Sequence, residues 1–145
     1  IRDYKVTGVQ TCALPIFAHG ESAGAVLACT IQSHDETDQL TLTHFSGGSL
    51  TVPRQASAPG TRLRVRVQAR DVSLTLDKQG GTSILNILPA TVLSVSDESP
   101  GQAMVVLQVG TEKLLAKLTH RSARALSLAP GKAVWAQVKG VAVLG

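Results

Sequence analysis

From Ala23 onward the chain alternates between apolar and polar positions. In Gln39-Leu40-Thr41-Leu42-Thr43-His44 apolar and polar residues alternate from Gln39 to Thr43, the period-two mark of a half-buried strand. Arg62-Leu63-Arg64-Val65-Arg66-Val67-Gln68-Ala69 alternates without a fault. Its Leu63, Val65, Val67 and Ala69 are predicted to face a core, and Arg62, Arg64 and Arg66 to face out. Gly24 to Ser33 is mostly apolar and predicts the first strand, followed by a polar turn at His34–Asp38. Gly47-Gly48 turns the chain into Ser49-Leu50-Thr51-Val52, which Pro53 stops. Pro59-Gly60 is a further turn.

The second half repeats this plan. Leu88 to Ser96 reads as a strand, and Ser96-Asp97-Glu98 matches the turn at His34-Asp35-Glu36. Ala103–Val109 and Glu112–Thr119 are predicted to pair across Gly110-Thr111. Pro130-Gly131 and the strand after it echo Pro59-Gly60 and the strand that follows there. The interval from Asp97 to Pro130 is longer than that from Asp35 to Pro59. The extra length holds one helix, His120 to about Leu126, with Thr119 placed to cap it. A duplication of this size means duplicated β modules. Short strands, tight turns and one small helix predict an all-β fold of two small Greek-key barrels of the OB type. They are expected over residues 24–79 and 80–145.

The first sixteen residues stand apart. Val6-Thr7-Gly8-Val9-Gln10-Thr11-Cys12-Ala13-Leu14-Pro15-Ile16 resembles the translation of a common sequencing adapter. Residues 1–16 are therefore expected to be foreign to the fold, and 17–23 the remnant of a linker. A secretory signal does not fit, because the apolar run is too short and Pro15 interrupts it.

Composition narrows the class. Of 145 residues, 43% are hydrophobic and 17% charged, enough for a core and too apolar for wholesale disorder. Aromatics are only 3%, so the core must be Val, Leu, Ile and Ala. A net charge of +4 suits an anionic partner without demanding one. No apolar run approaches the roughly 20 residues of a membrane span. Cys12 and Cys29 have neither metal-ligand spacing nor a paired pattern, which favours a reducing compartment. Cys29, in an apolar strand, reads as a small core residue. His19, His34, His44 and His120 lack metal spacing. No serine sits in a Gly-x-Ser-x-Gly elbow, and no phosphate-cradling Gly-x-x-x-x-Gly-Lys-Ser/Thr loop occurs, so this chain by itself is no ATPase. The Arg62, Arg64, Arg66 face reads as solvated. Nucleic acid would want aromatic platforms, and Phe17, Phe45 and Trp135 lie far apart in sequence.

Between the halves, Gly80-Gly81 turns into Thr82-Ser83-Ile84-Leu85-Asn86-Ile87-Leu88-Pro89. The segment brings hydroxyls, an amide and four apolar side chains: an ordered connector with polar groups at its start. Read by residue chemistry alone, Ser83 and Thr119 cap turns and Lys139 is a solvated strand residue. The same segment, with Ala116-Lys117-Leu118-Thr119 and Ala136-Gln137-Val138-Lys139, resembles the Mop/TOBE region of the ATP-binding subunits of molybdate ABC importers. That resemblance covers roughly Ala23 to Leu144.

It implies two Mop-like barrels that exchange strands, packed as a homodimer. It also implies a bound molybdate or tungstate and no organic cofactor. Molybdate is a tetrahedral dianion, so its site needs donors only. The matching positions are Ser83, Ile84, Thr119, Lys139 and Gly140. Leu85 stands where free-standing binding proteins often carry Arg, and Gly140 where Ser is usual. The implied partners are an upstream ATPase domain and a membrane permease, with no nucleic acid, and the implied location is cytoplasmic, at the inner membrane through the transporter. The alternatives are a ligand-free structural dimerisation module and a stand-alone molybdate store.

Overall fold

A computed structural model of the chain describes residues 16–17 and 23–144; residues 1–15, most of the segment read as foreign, lie outside them. Ile16 and Phe17 form a two-residue strand, β1 (Ile16–Phe17), paired with Ala25 and Gly24. Backbone pairing thus reaches the last residue of the adapter-like segment.

The alternating stretches fold as strands. They are β2 (Gly24–Asp35), β3 (Leu40–Phe45), β4 (Gly48–Pro53) and β5 (Arg62–Gln68). A single 3-10 turn, Ala69–Asp71, leads into β6 (Val72–Thr75). Then come β7 (Asn86–Ser99), β8 (Gln102–Val109), β9 (Glu112–Thr119), helix α1 (His120–Ala125), β10 (Ala133–Val138) and β11 (Ala142–Val143). The Thr119 hydroxyl caps α1 by accepting the Ser122 N–H at 3.0 Å.

Two antiparallel sheets result, in the orders β11-β5-β2-β3-β4, with β1 attached to β2, and β6-β10-β7-β8-β9. Without the first member of each, the order β5-β2-β3-β4 recurs as β10-β7-β8-β9, the duplication seen in sequence. The remaining place in each sheet is taken from the other copy. β6 follows β5 but pairs with β10, Val72 opposite Val138. β11 follows β10 but pairs with β5, Ala142 opposite Arg66. Neither sheet is therefore built from one side of residue 80 alone.

The sheets enclose a main core, in which Leu27, Val65 and Leu50 meet Val92, Leu107 and Leu114, and a small second cluster gathers Ala23, Ala69, Met104 and Leu115. Burying each such side chain contributes about 1.5–3 kcal/mol. Leu63, Val65, Val67 and Ala69 are all buried, as their alternation requires. β3 alternates too, but with the polar side inward: Thr41 and Thr43 are fully buried, while Leu40 and Leu42 are half-buried. The inward hydroxyls are satisfied. Thr43 donates to the Leu50 carbonyl at 2.9 Å, and Thr41 bonds His34 and the Gln55 N–H, each at 2.8 Å. A buried hydroxyl with partners costs little, so the pair's inner position is tolerated.

At one end the sheets interlock. The β3–β4 turn meets the β8–β9 turn, where the Ser46 hydroxyl bonds the Thr111 hydroxyl and accepts the Thr111 N–H, both at 2.8 Å. A Cβ on Gly110 would lie 2.4 Å from the Gly47 nitrogen, and Gly110 has a φ of +63°. Only glycine lets the backbones approach that closely.

Candidate functional site

The chain crosses between the sheets twice, through Ala69–Asp71 from β5 to β6 and through residues 139–141 from β10 to β11. The crossings are tied together, since the Lys139 N–H donates to the Asp71 carbonyl at 2.9 Å. The second crossing ends where the Leu144 N–H donates to the Arg64 carbonyl at 2.8 Å.

The connector before β7 arrives beside them. Asn86, 8% exposed, grips β4 with both ends of its amide. Its Oδ1 accepts the Thr51 N–H at 2.7 Å and its Nδ2 donates to the Thr51 carbonyl at 2.9 Å. The side chain thus stands in for a neighbouring strand, and removing it would orphan two backbone groups. Upstream, the Thr82 hydroxyl accepts the Ile84 N–H at 3.2 Å, a local turn that holds Ser83 and Ile84 in place.

These pieces surround a cavity of about 390 Å³. Ser83, Ile84, Leu85 and Asn86 form one wall, Val138 to Val141 a second, and Leu40 with Thr51, Val52 and Pro53 a third. Lys139 is exposed at its rim and is the one charged residue among the described residues that line it. Its position follows from the alternation of β10: Val134, Ala136 and Val138 are buried, so Lys139 continues on outward-facing backbone. Gly140 adds backbone with no side chain, and a Cβ there would touch only the Asp71 carboxylate, at 3.6 Å. The wall offers a hydroxyl, an ammonium and peptide N–H groups, which is a donor set for a small anion. Among the described residues no group of three or more His, Cys, Asp or Glu is placed to hold a metal ion.

Four of the five residues singled out in the sequence, Ser83, Ile84, Lys139 and Gly140, thus line one cavity. Thr119 does not. Asn86 begins β7 at the cavity, whereas Thr119 pairs with Gln102, which pairs with Ser99 at the far end of that 14-residue strand. At about 3.3 Å per residue the separation along the strand is on the order of 40 Å. Within one chain Thr119 serves the helix cap.

Sequence reasoning missed Asp71, which lies behind Gly140, and the strand after it. The signal for β6 was present, since Val72-Ser73-Leu74-Thr75 alternates and its Val72 and Leu74 are buried. Nothing local marks Asp71, because its place depends on a strand that returns from the other end of the chain.

A larger cavity, about 620 Å³, lies between Cys29, Thr30, His44, Arg62 and Glu112. Its thiol is not poised for chemistry. Burial pushes Cys29 up to about 11; a hydrogen bond with the Thr43 side chain pulls the other way, and the neighbouring Glu112 charge raises it further.

Residues 82–145 match the TOBE domain. Over 132 residues, 91% of its length, the chain is 64% identical to the molybdenum import ATP-binding protein ModC of Albidiferax ferrireducens. It is 44% identical over 133 residues to ModC 1 of Azotobacter vinelandii. It spans little more than a third of these relatives, 36% and 37% of their lengths. Among solved structures it resembles the cytoplasmic molybdate-binding protein ModG in its molybdate-bound form, with a TM-score of 0.68 and 25% identity. That match covers 81% of this chain and 93% of ModG.

Proposed function

We propose, from the match of residues 82–145 to the TOBE domain, that the chain is the oxyanion-binding domain of a molybdate importer's ATP-binding subunit. It binds rather than catalyses. Its ligand is molybdate or tungstate, held in the cavity between the connector 83–86 and the crossing 139–141. Lys139 supplies the charge, Ser83 a hydroxyl and the Gly140 backbone a peptide N–H, while Ile84, whose own N–H is held by the Thr82 hydroxyl, shapes the wall. Intracellular anion bound here feeds back on transport by the ATPase domain and permease of the intact protein, at the cytoplasmic side of the membrane. The observation that carries this reading is the convergence of Ser83, Ile84, Lys139 and Gly140 on one cavity from two distant stretches of sequence.

We read β6 and β11 as exchanged strands of two OB-like barrels, and the working unit as a homodimer. Leu85 is 67% exposed, and it shares an adjoining cavity of about 420 Å³ with Leu40 and Leu42 and with the polar Ser33, Asp35 and Asp38. An exposed leucine next to a polar site suits burial against a second copy. Such a copy is also the only source from which a Thr119 hydroxyl can reach the anion. The same exposed leucine favours a second reading, a dimerisation module without ligand.

Isothermal titration with sodium molybdate separates the two. The proposal predicts saturable binding well below millimolar anion; heat no greater than dilution up to several millimolar leaves the module without a ligand. Sedimentation at micromolar protein tests the dimer independently, and a monomer there contradicts it.

A further inference from the structure

Gly140 lines two cavities. The proposed anion site lies on one side; on the other is a cavity of about 340 Å³ that it shares with Asp71, Arg66 and Gln68. The segment 139–141 is therefore a thin partition with no side chain at its centre. The Asp71 carboxylate stands behind it, its oxygens 3.6 and 3.9 Å from where a Gly140 Cβ would be. Asp71 is half-buried, and its own carbonyl fixes the Lys139 backbone. A negative charge is thus held, by a backbone hydrogen bond, against the back of a site whose front wall carries one cation.

We propose that Asp71 is a charge-discriminating residue of the anion site: it opposes the ligand's charge through the Gly140 partition and so lowers affinity for dianions more than for monoanions of the same shape. This rests on the assignment of the cavity as an oxyanion site. The physical basis is that a fixed charge acts in proportion to the charge of the ligand. At a separation of several ångströms through a water-like dielectric, one unit charge changes affinity by a factor of about three per ligand charge. Arg66 lines the same rear cavity and offsets part of that field. The arrangement also bears on position 140. A serine there would put its hydroxyl within reach of the carboxylate, and that acceptor would compete with the anion for it.

The test is Asp71→Asn, which keeps the backbone carbonyl that holds Lys139 and removes only the charge. Binding of molybdate and of perrhenate, a tetrahedral monoanion of closely similar size, is measured by titration calorimetry on the parent chain and the variant. The expected result is tighter binding of both, by about threefold for perrhenate and by the square of that factor, about tenfold, for molybdate. The gain should shrink at 0.5 M salt. An unchanged molybdate-to-perrhenate ratio overturns the proposal, as does weaker binding of both anions, which would make Asp71 a structural residue. A parent chain that binds neither anion defeats the oxyanion site itself, a result distinct from a parent that binds and a variant that does not differ. Gly140→Ser adds a second check: it should improve molybdate binding in the Asp71→Asn background more than in the parent, and an equal effect in both contradicts the competition for its hydroxyl.

Discussion

Two of the places where the sheets meet carry a glycine, and the glycines do opposite things. At the Ser46–Gly47 and Gly110–Thr111 turns the absent side chain lets backbone press on backbone: a Cβ on Gly110 would meet Ser46 and Gly47 atoms at 2.4–2.5 Å. At the other meeting point, a Cβ on Gly140 would touch nothing closer than the Asp71 carboxylate at 3.6 Å. The first junction is closed and mechanical. The second leaves open a donor-lined cavity. Local sequence cannot separate the two cases, since each is a glycine beside a small or polar residue in a short connection. What differs is the distance to the opposing chain, which only the assembled sheets define.

The largest effect that would break this contrast falls on the closed junction. Gly110→Ala adds a side chain into backbone at a φ of +63°, and should destabilise the fold by about 3 kcal/mol or more, roughly 10 °C in Tm. A loss of only a degree or two would show that the turns separate at little cost. Next comes the clamp between the junctions. Asn86→Ala leaves the Thr51 N–H and carbonyl without their partners, a loss of about 2–3 kcal/mol by thermal or urea unfolding. Stability equal to the parent would mean that water replaces the amide freely.

Lys139→Ala acts on binding instead. A charge-assisted hydrogen bond to a dianion contributes about 1.5–3 kcal/mol, so molybdate affinity should fall roughly ten- to a hundredfold with Tm unchanged. Ser83→Ala should cost less, because a neutral donor contributes less. Gly140→Ala is the direct counterpart of Gly110→Ala. Its cost in stability should stay under about 0.5 kcal/mol, since the new methyl makes only an ordinary contact with the Asp71 carboxylate, at 3.6 Å. A cost matching that of Gly110→Ala would erase the distinction between the junctions.

The smallest effect concerns Cys29. Its folded value of about 11 lies above the usual thiol value of 9.0, because burial disfavours the thiolate. The folded chain therefore keeps a proton that the unfolded chain releases as pH rises past 9. The stabilisation is fully present below about pH 9 and is lost on the way to about 11. The Tm of Cys29→Ala should fall less steeply than the parent's between pH 9 and 10. Equal slopes would mean that the thiol is exposed, and rapid labelling by a thiol reagent at pH 8 would say the same.

Most strands were legible because alternation is local: Leu63, Val65, Val67 and Ala69 are buried as their spacing requires, and Thr119 caps α1 as its place before His120 suggests. The duplication was legible for the same reason. The inward face of β3 was not. Thr41 and Thr43 are buried because His34, Gln55 and Leu50 satisfy them, and those partners come from three other places in the chain. The cavity was half legible. Ser83, Ile84, Lys139 and Gly140 were found through a family likeness, not through spacing. Asp71 was invisible because its neighbour in space is about seventy residues away in sequence, joined through the Lys139 N–H to Asp71 carbonyl bond.

The most direct test of the oxyanion assignment is to titrate the isotopically labelled chain with molybdate and follow the backbone amides by NMR. The assignment predicts saturable shifts at Ile84, Lys139 and Gly140, with the amides of Gly47, Gly110 and Thr111 still. Shifts centred on the Arg62–Arg66 face, or none at any site up to several millimolar molybdate, would contradict it.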